Sequence, residues 1–379
     1  MDTIKLFYND SHQKQFTAQV LSCVETDKGF QVVLDATAFY PEGGGQACDL
    51  GTIHDANVLD VREKDGIIQH LCDKKLEVGE TVEGRINWVR RFSLMQQHSG
   101  EHIVSGIIHS RYGWHNVGFH MGSQLMTIDF DGPIPADDLA IIERAANEAV
   151  WANLPVRTWY PEPEVLPTVA YRSKKQLPWP VRIVEIPGID HCACCGTHVK
   201  MTGEIGMIKL VSCIKFHAGV RIEMACGSNA LALADAVFTQ NRLVSQAFSA
   251  KMLETGAAAV KMNEALAAEK LRANTLQSQL FDRMAASFAG QGNVCHFADE
   301  LAPGQVRELA DKIADHCSGW AAVLSGEEGN YSICIVSRSG DVKAIGAALG
   351  ARGGGKPGIF QGSLRSSRME IEAKLQELR

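Results

Sequence analysis

Two short clusters carry residue types that bind metal ions: His98-Ser-Gly-Glu-His102 and Cys192-Ala-Cys-Cys-Gly-Thr-His198. On a helix, residues four apart share one face with Cβ atoms about 5–6 Å apart, so the imidazoles of His98 and His102 can reach one ion without strain. Cys194 and His198 are also four apart, and Gly196 between them suggests a turn that aims both at the same point. Three imidazoles and a thiolate form the borderline-soft set that zinc prefers, and four-ligand sites are commonly assembled from two such pairs. Ligand number decides the chemistry. Three protein ligands leave a place for a water whose pKa falls to about 7 on zinc, whereas four close the tetrahedron as in structural sites. If His98, His102, Cys194 and His198 all bind, the metal must expand its shell, release a ligand, or act by holding a substrate's amino group, and the sequence leaves these open. It also leaves open which of Cys192, Cys194 and Cys195 supplies the thiolate.

The histidine pair needs a helix, and the pattern over Met95–Ile108 predicts one. Around it the expected fold class is α+β multidomain. Residues 1–86 carry β-type runs, Phe16–Glu25, Gly29–Leu34, Val58–Val61 and Ile67–Leu71, broken by Asp-Lys-Gly and Asp-Gly turns, which suggests a small β-barrel. Residues 87–226 read as a zinc-binding α+β core, with strands at Gln124–Phe130, Arg182–Glu185 and Glu204–Val211 and a helix over Ala136–Asn153. Within it, the prolines of Pro161–Pro180 block regular structure, so that stretch, with Arg172, Lys174 and Lys175, reads as an exposed basic loop. Residues 227–290 lack proline between Ser228 and Ala289 and read as a helical linker or hairpin bent near Gly256. Residues 291–379 suggest a C-terminal α/β domain with a helix over Pro303–His316 and strands at Trp320–Leu324 and Ser332–Ser337. A Gly-rich loop and a last helix would close it.

The composition, 45% hydrophobic and 21% charged over 379 residues, is that of a globular protein large enough for several cores. No run of about eighteen apolar residues and no signal-like start occurs, so a cytoplasmic protein without membrane contact is expected. Eleven cysteines, an odd number, argue for reduced thiols rather than a disulfide framework. The net charge of −7 argues against indiscriminate nucleic-acid binding. Yet Tyr331–Arg379 holds eight basic residues against four acidic ones, a local basic surface suited to phosphates.

Five motifs in order resemble the editing domain of alanyl-tRNA synthetase: Leu34-Asp-Ala-Thr-Ala-Phe-Tyr-Pro-Glu-Gly-Gly-Gly-Gln46, the His98/His102 pair, Cys194-Cys-Gly-Thr-His198, Thr202-Gly-Glu-Ile-Gly206 and Arg221-Ile-Glu223. Ala351-Arg-Gly-Gly-Gly-Lys-Pro-Gly-Ile-Phe-Gln-Gly-Ser363 is similar to the Gly-rich motif of that enzyme's C-terminal domain. The chain thus resembles the long form of the free-standing alanyl-tRNA editing proteins over nearly its whole length. The resemblance implies a zinc-dependent deacylase that hydrolyses serine, or glycine, from mischarged tRNA(Ala) and spares Ala-tRNA(Ala). A pocket for alanine cannot strongly reject an amino acid that merely adds a hydroxyl or lacks a methyl, so a second site is needed. It implies His98, His102, Cys194 and His198 as ligands, although Cys195 stands where the family has glycine. By register Thr37 matches the family's threonine and is the candidate reader of the serine hydroxyl. Gly43, Gly44 and Gly45 would present backbone N–H groups to the substrate, and Gln46 would hydrogen-bond the ester. Arg352, Gly353, Gly354, Gly355 and Lys356 would grip tRNA phosphates by charge and shape.

Two other readings compete. His98-Ser-Gly-Glu-His102 fits H-x-x-E-H, an inverted zinc-peptidase signature with Glu101 as base, which requires a downstream glutamate ligand. A non-catalytic tRNA-binding protein with a structural zinc would use the same folds.

Overall fold

The computed structural model describes residues 2–173 and 179–377. Lys174 and Lys175 of the expected basic loop, and Arg379 of the basic tail, lie outside the described residues. The chain divides into two compact units, Met1–Leu243 and Val244–Arg379.

In the first unit, six antiparallel strands hydrogen-bond into a closed ring in the order Gln15–Thr26, Gly29–Leu34, Ile67–Cys72, Ala56–Lys64, Gly51–Ile53, Thr81–Ile86, the last pairing back onto the first. Alternation drives it: Phe16, Ala18 and Val20 point inward from the first strand, and Val32, Leu34, Val61 and Ile68 meet them. Each such side chain contributes about 1.5–3 kcal/mol by leaving water. The sequence pattern does not single out Gly51–Ile53 or Thr81–Ile86, the former because it is short and the latter because Gly84 sits at an inward position and breaks the apolar alternation. The helix Trp88–Tyr112, which carries His98 and His102 and is called the histidine helix, follows the ring. It runs longer than Met95–Ile108 because Asn87 caps its start, accepting from the Arg90 amide at 3.2 Å, and Gly113 closes its end at φ 77°. Nearly every residue from Leu94 to Gly106 is buried. Its apolar members, Met95, Ile103, Val104 and Ile108, share a core with the helix Asp138–Trp151 and a four-stranded sheet, Ile208–Phe216, Gly219–Cys226, Met126–Phe130 and Asn116–Met121. A three-stranded sheet, Arg157–Trp159, Ile183–Ile186 and Asp190–Ala193, delivers the chain into the Cys194–His198 segment.

The expected linker consists of the helices Gly227–Ala247 and Thr255–Ala286. The break precedes Gly256, which lies in the first turn of the second helix. Ser249 takes the left-handed conformation at φ 49°, and Ser245 Oγ donates to the Ala250 carbonyl at 2.6 Å to close the turn. In the second unit, a five-stranded sheet runs Val294–Ala298, Trp320–Glu327, Asn330–Ser337, Ile359–Leu364, Arg352–Gly354. Its first pair is parallel and joined through the helix Pro303–Ala314, and the other pairs are antiparallel. Separate apolar cores cover its two faces, one around Val306, Leu309 and Ile313, the other around Ile335, Phe360 and Ile371. The glycine-rich stretch is not wholly a loop: Arg352–Gly354 pairs with Gln361–Ser363 as an edge strand.

Candidate metal centre

His98 and His102 project from the histidine helix, and Cys194 and His198 from the segment after Asp190–Ala193. One ligand atom from each lies within 4.8 Å of the other three. Cys194 Sγ is 3.4 Å from His98 Nε2. Ligands on a tetrahedral ion with bonds of about 2.0–2.3 Å stand about 3.3–3.8 Å apart, so small adjustments suffice. Cys194 is the thiol in this group. Cys192 instead falls in a second group with His102 and Asp190, and Cys195 is exposed. Gly196 is required by close approach: a Cβ there would sit 2.1 Å from His98 Cε1.

Each imidazole is held on its far side, which decides where its lone pair points. His98 Nδ1 donates to Gln46 Oε1 at 2.8 Å, and Gln46 is fixed in turn by donating to Thr197 Oγ1 at 2.8 Å and accepting from the Thr197 amide at 3.1 Å. His102 Nδ1 donates to Asp190 Oδ2 at 2.9 Å, and Arg172 clamps that carboxylate at 2.7 and 2.8 Å. Ser99 Oγ lies 3.2 Å from His198 Nδ1 and accepts from the Val199 amide at 3.2 Å. The Nε2 atoms are thereby left for the centre of the cluster, and His198 Nε2 is buried with no hydrogen-bond partner. An orphaned buried nitrogen is costly unless something binds it, and a metal ion would.

The electrostatics suit ligation. Burial pushes the Cys194 thiol up, but the charge of His98 and hydrogen bonds from His102 and His98 outweigh it and hold the thiol well below its usual range. Burial, reinforced by His98, pushes His198 down to about 3, so it is a neutral donor. Burial also works against a charged His102, yet the Asp190 hydrogen bond and the Cys194 thiolate keep its pKa well above the usual value. Burial raises Cys192 to about 11, leaving it a protonated thiol at neutral pH.

His98, His102 and Cys194 line a cavity of about 310 Å³, whose walls also include Gly44, Glu101, Asn116 and Phe119. Gly43–Gln46 is a tight turn, with Gly43 and Gln46 exchanging backbone hydrogen bonds of 3.0 and 3.1 Å and with Gly44 and Gly45 at φ 61° and 85°. Of the three glycines, Gly44 lines the cavity. Gln46 is completely buried, and its amide is spent on His98 and Thr197, so its visible role is to position His98. Thr37 stands apart from the cavity lining. Its hydroxyl donates to His70 Nε2 at 2.9 Å and accepts from the Phe39 amide at 3.1 Å. Arg352, Gly353, Gly354, Gly355 and Lys356 belong to the second unit, on or just beyond its exposed edge strand. A peptidase of the H-x-x-E-H type calls for a carboxylate ligand, whereas here the positions beside the histidine pair are taken by Cys194 and His198.

Sequence reasoning missed Asp190, Arg172, Ser99 and Thr197, which orient the ligands, and Arg91. The Arg91 guanidinium is fully buried and grips Asp49, with Nε 2.9 Å from each carboxylate oxygen, while donating to the Ser11 carbonyl at 2.9 Å. It ties the histidine helix to the segments flanking the ring. Thr197 and Ser99 had a local signal, their places inside the Cys-Cys-Gly-Thr-His and His-Ser-Gly-Glu-His motifs.

The sequence of the chain is similar to those of proteins named for tRNA charging and editing. Residues 3–90 match the family described as tRNA synthetases class II (A), and residues 181–223 match the threonyl and alanyl tRNA synthetase second additional domain. The chain is homologous along its whole length to the alanyl-tRNA editing proteins: that of Mus musculus, named Aarsd1, is 29% identical across 98% of this chain and 97% of its own. The Rattus norvegicus protein of the same name is 34% identical over an alignment spanning 54% of each chain. The alanine–tRNA ligase of Methanobrevibacter smithii is 36% identical across 65% of this chain and 29% of its own. The aligned stretch thus spans about half the length of the rat relative and under a third of the ligase. Among the described residues no helix is long and apolar enough to cross a membrane.

Proposed function

We propose that this chain is a cytoplasmic trans-editing hydrolase that cleaves the ester joining serine, or glycine, to tRNA(Ala) and spares Ala-tRNA(Ala). The observation that carries this reading is the convergence of His98, His102, Cys194 and His198 under a cavity, each imidazole held at Nδ1 by its own partner, in a chain with full-length editing homologues. The nitrogen and sulfur donors favour zinc, which when bound would supply Lewis acidity to the ester or to water. The protein supplies the rest. Gln46, Asp190 and Ser99 keep the imidazoles aimed, and the Gly43–Gln46 turn brings backbone to the cavity wall at Gly44. The six-stranded ring serves as the small barrel that presents this turn. Thr37 supports the ring through His70, to which its hydroxyl donates while accepting from the Phe39 amide, and its second lone pair remains for a serine hydroxyl.

The direct test is a deacylation assay on Ser-, Gly- and Ala-tRNA(Ala) with zinc measured on the same sample. Release of serine or glycine but not alanine, lost together with zinc in a Cys194→Ala variant, is expected. Binding of tRNA with no release of any amino acid would instead make the chain a tRNA-binding module. For the second unit, we propose that Arg352 and Lys356 bind tRNA phosphates. Their joint replacement by alanine should lower the salt slope of tRNA binding by about 2, one for each phosphate no longer neutralised.

A further inference from the structure

One wall of the metal cavity carries an acid that the editing chemistry does not use. Glu101, on the histidine helix between the two ligands, is only 5% exposed. Its Oε1 accepts from Ser105 Oγ at 2.6 Å and from the side-chain amide of Asn116. Its Oε2 receives no hydrogen bond from the described residues, and lies 3.9 Å from His102 Nε2, the nitrogen turned toward the ligand cluster. Asn116 lines the same cavity, and its orientation is fixed because only the NH2 end can face a carboxylate. That leaves Asn116 Oδ1 buried with no donor. The wall therefore offers one carboxylate oxygen, Glu101 Oε2, that no described residue meets with a donor, while Asn116 Oδ1 is closed off from the cavity's solvent.

Among the described residues that line this cavity, Glu101 is the sole carboxylate. The neighbouring cation, Arg172, is already neutralised by its two hydrogen bonds to Asp190. His115, also on the wall, is exposed and paired with Asp131 at 3.1 Å. A buried carboxylate with spare lone pairs costs stability unless a cation meets it. Once His102 is held neutral as a metal ligand, the described residues of the wall offer no compact positive group with several N–H donors.

From this we infer that Glu101 is the docking point for the α-ammonium group of the aminoacyl ester. The inference rests on the proposed function for its substrate and deepens it. Every aminoacyl ester carries this group whatever its side chain, so the interaction anchors substrates without sorting them. It holds the amino acid by its one constant charge while the ester faces the ligand cluster. It also distinguishes an aminoacyl end from a peptidyl or formylated one, whose nitrogen is an uncharged amide.

The test compares the zinc-loaded wild type with Glu101→Gln in two ways. In steady-state deacylation, Glu101→Gln should raise KM about tenfold or more on every aminoacyl-tRNA the wild type accepts, with kcat little changed. The N-acetylated substrate should show a similarly raised KM on the wild type and no further loss in Glu101→Gln. In calorimetry, 3′-deoxy-3′-(serylamino)adenosine, whose amide cannot be hydrolysed, should bind the wild type about tenfold more tightly than its N-acetyl derivative, and Glu101→Gln should abolish the difference. Equal affinities of wild type and Glu101→Gln for the free-amine analogue would overturn the inference. So would a loss confined to kcat on both free and acetylated substrates, since that would make Glu101 a proton-transfer group. If the wild type releases no amino acid at all, the proposed function fails while the calorimetric comparison still decides the ammonium site.

Discussion

Two buried networks in the first unit are built around histidine, and they differ in what they leave open. Inside the ring, His70 Nδ1 donates to the Val32 carbonyl at 3.2 Å and Nε2 accepts from Thr37, whose oxygen also accepts from the Phe39 amide. Every polar atom has a partner within the network. Around the metal centre, Gln46, Asp190 and Ser99 satisfy only the outer nitrogens, and the inner ones converge with a low-pKa thiol. The ring network is fully buried and the metal-centre network nearly so, with Cys194 partly exposed, and both involve residues the sequence singled out. A closed network stabilises and specifies, whereas one with convergent unmet atoms is waiting for a ligand.

The contrast can be broken at several points. Replacing His198 by alanine removes a ligand, and zinc affinity measured by chelator competition should fall by more than about a hundredfold, beyond what loss of an outer partner causes. Unchanged affinity would place the fourth ligand elsewhere. The ring network should answer to pH instead. Burial pushes His70 down from 6.5 to about 4, so the folded protein keeps it neutral while the unfolded chain takes up a proton below 6.5. Its stabilising effect is therefore complete above pH 6.5 and is lost as pH falls toward 4, by up to about 3 kcal/mol. Urea unfolding at pH 7 and 4.5 should show a steeper loss of stability in the wild type than in His70→Gln, whose remaining slope comes from other groups such as His198. Asp190→Asn should weaken zinc binding about 10–100-fold with all four ligands intact, because His102 loses the acceptor that fixes its tautomer. The smallest effect is expected for Thr37→Val: about 1–2 kcal/mol in unfolding free energy and normal zinc content. A collapse of serine-over-alanine selectivity in that variant would show that Thr37 reaches the substrate.

Much of this arrangement is legible locally. The i, i+4 spacing of His98 and His102 announces a helix, and the alternation in Phe16–Val20 announces a strand. The break between the linker helices falls away from the expected place because Gly256 is a stronger sequence signal than Ser249, yet Ser249 adopts the left-handed turn. The partners of the ligands are illegible for a plainer reason. Asp190 is 88 residues from His102 and Gln46 is 52 from His98, so no spacing rule connects them. Glu101 is visible inside its motif, but the motif points to a peptidase base. Only its hydrogen bonds with Ser105 and Asn116 show which oxygen is free.

All four ligand positions lie beyond residue 86, which invites treating the histidine helix and the Cys194–His198 segment as a self-sufficient cassette for grafting. The Gly43–Gln46 turn forbids it. Gln46 orients His98 from the ring side, and Arg91 on the helix reaches back to Asp49 in the same stretch of chain. A graft that omitted the ring would keep every ligand but leave one imidazole free to turn its lone pair away and an arginine without its counterion. For a protein engineer, the smallest portable piece of this centre is both elements together, and for a lineage that shuffles domains the seam between them is not a place to cut.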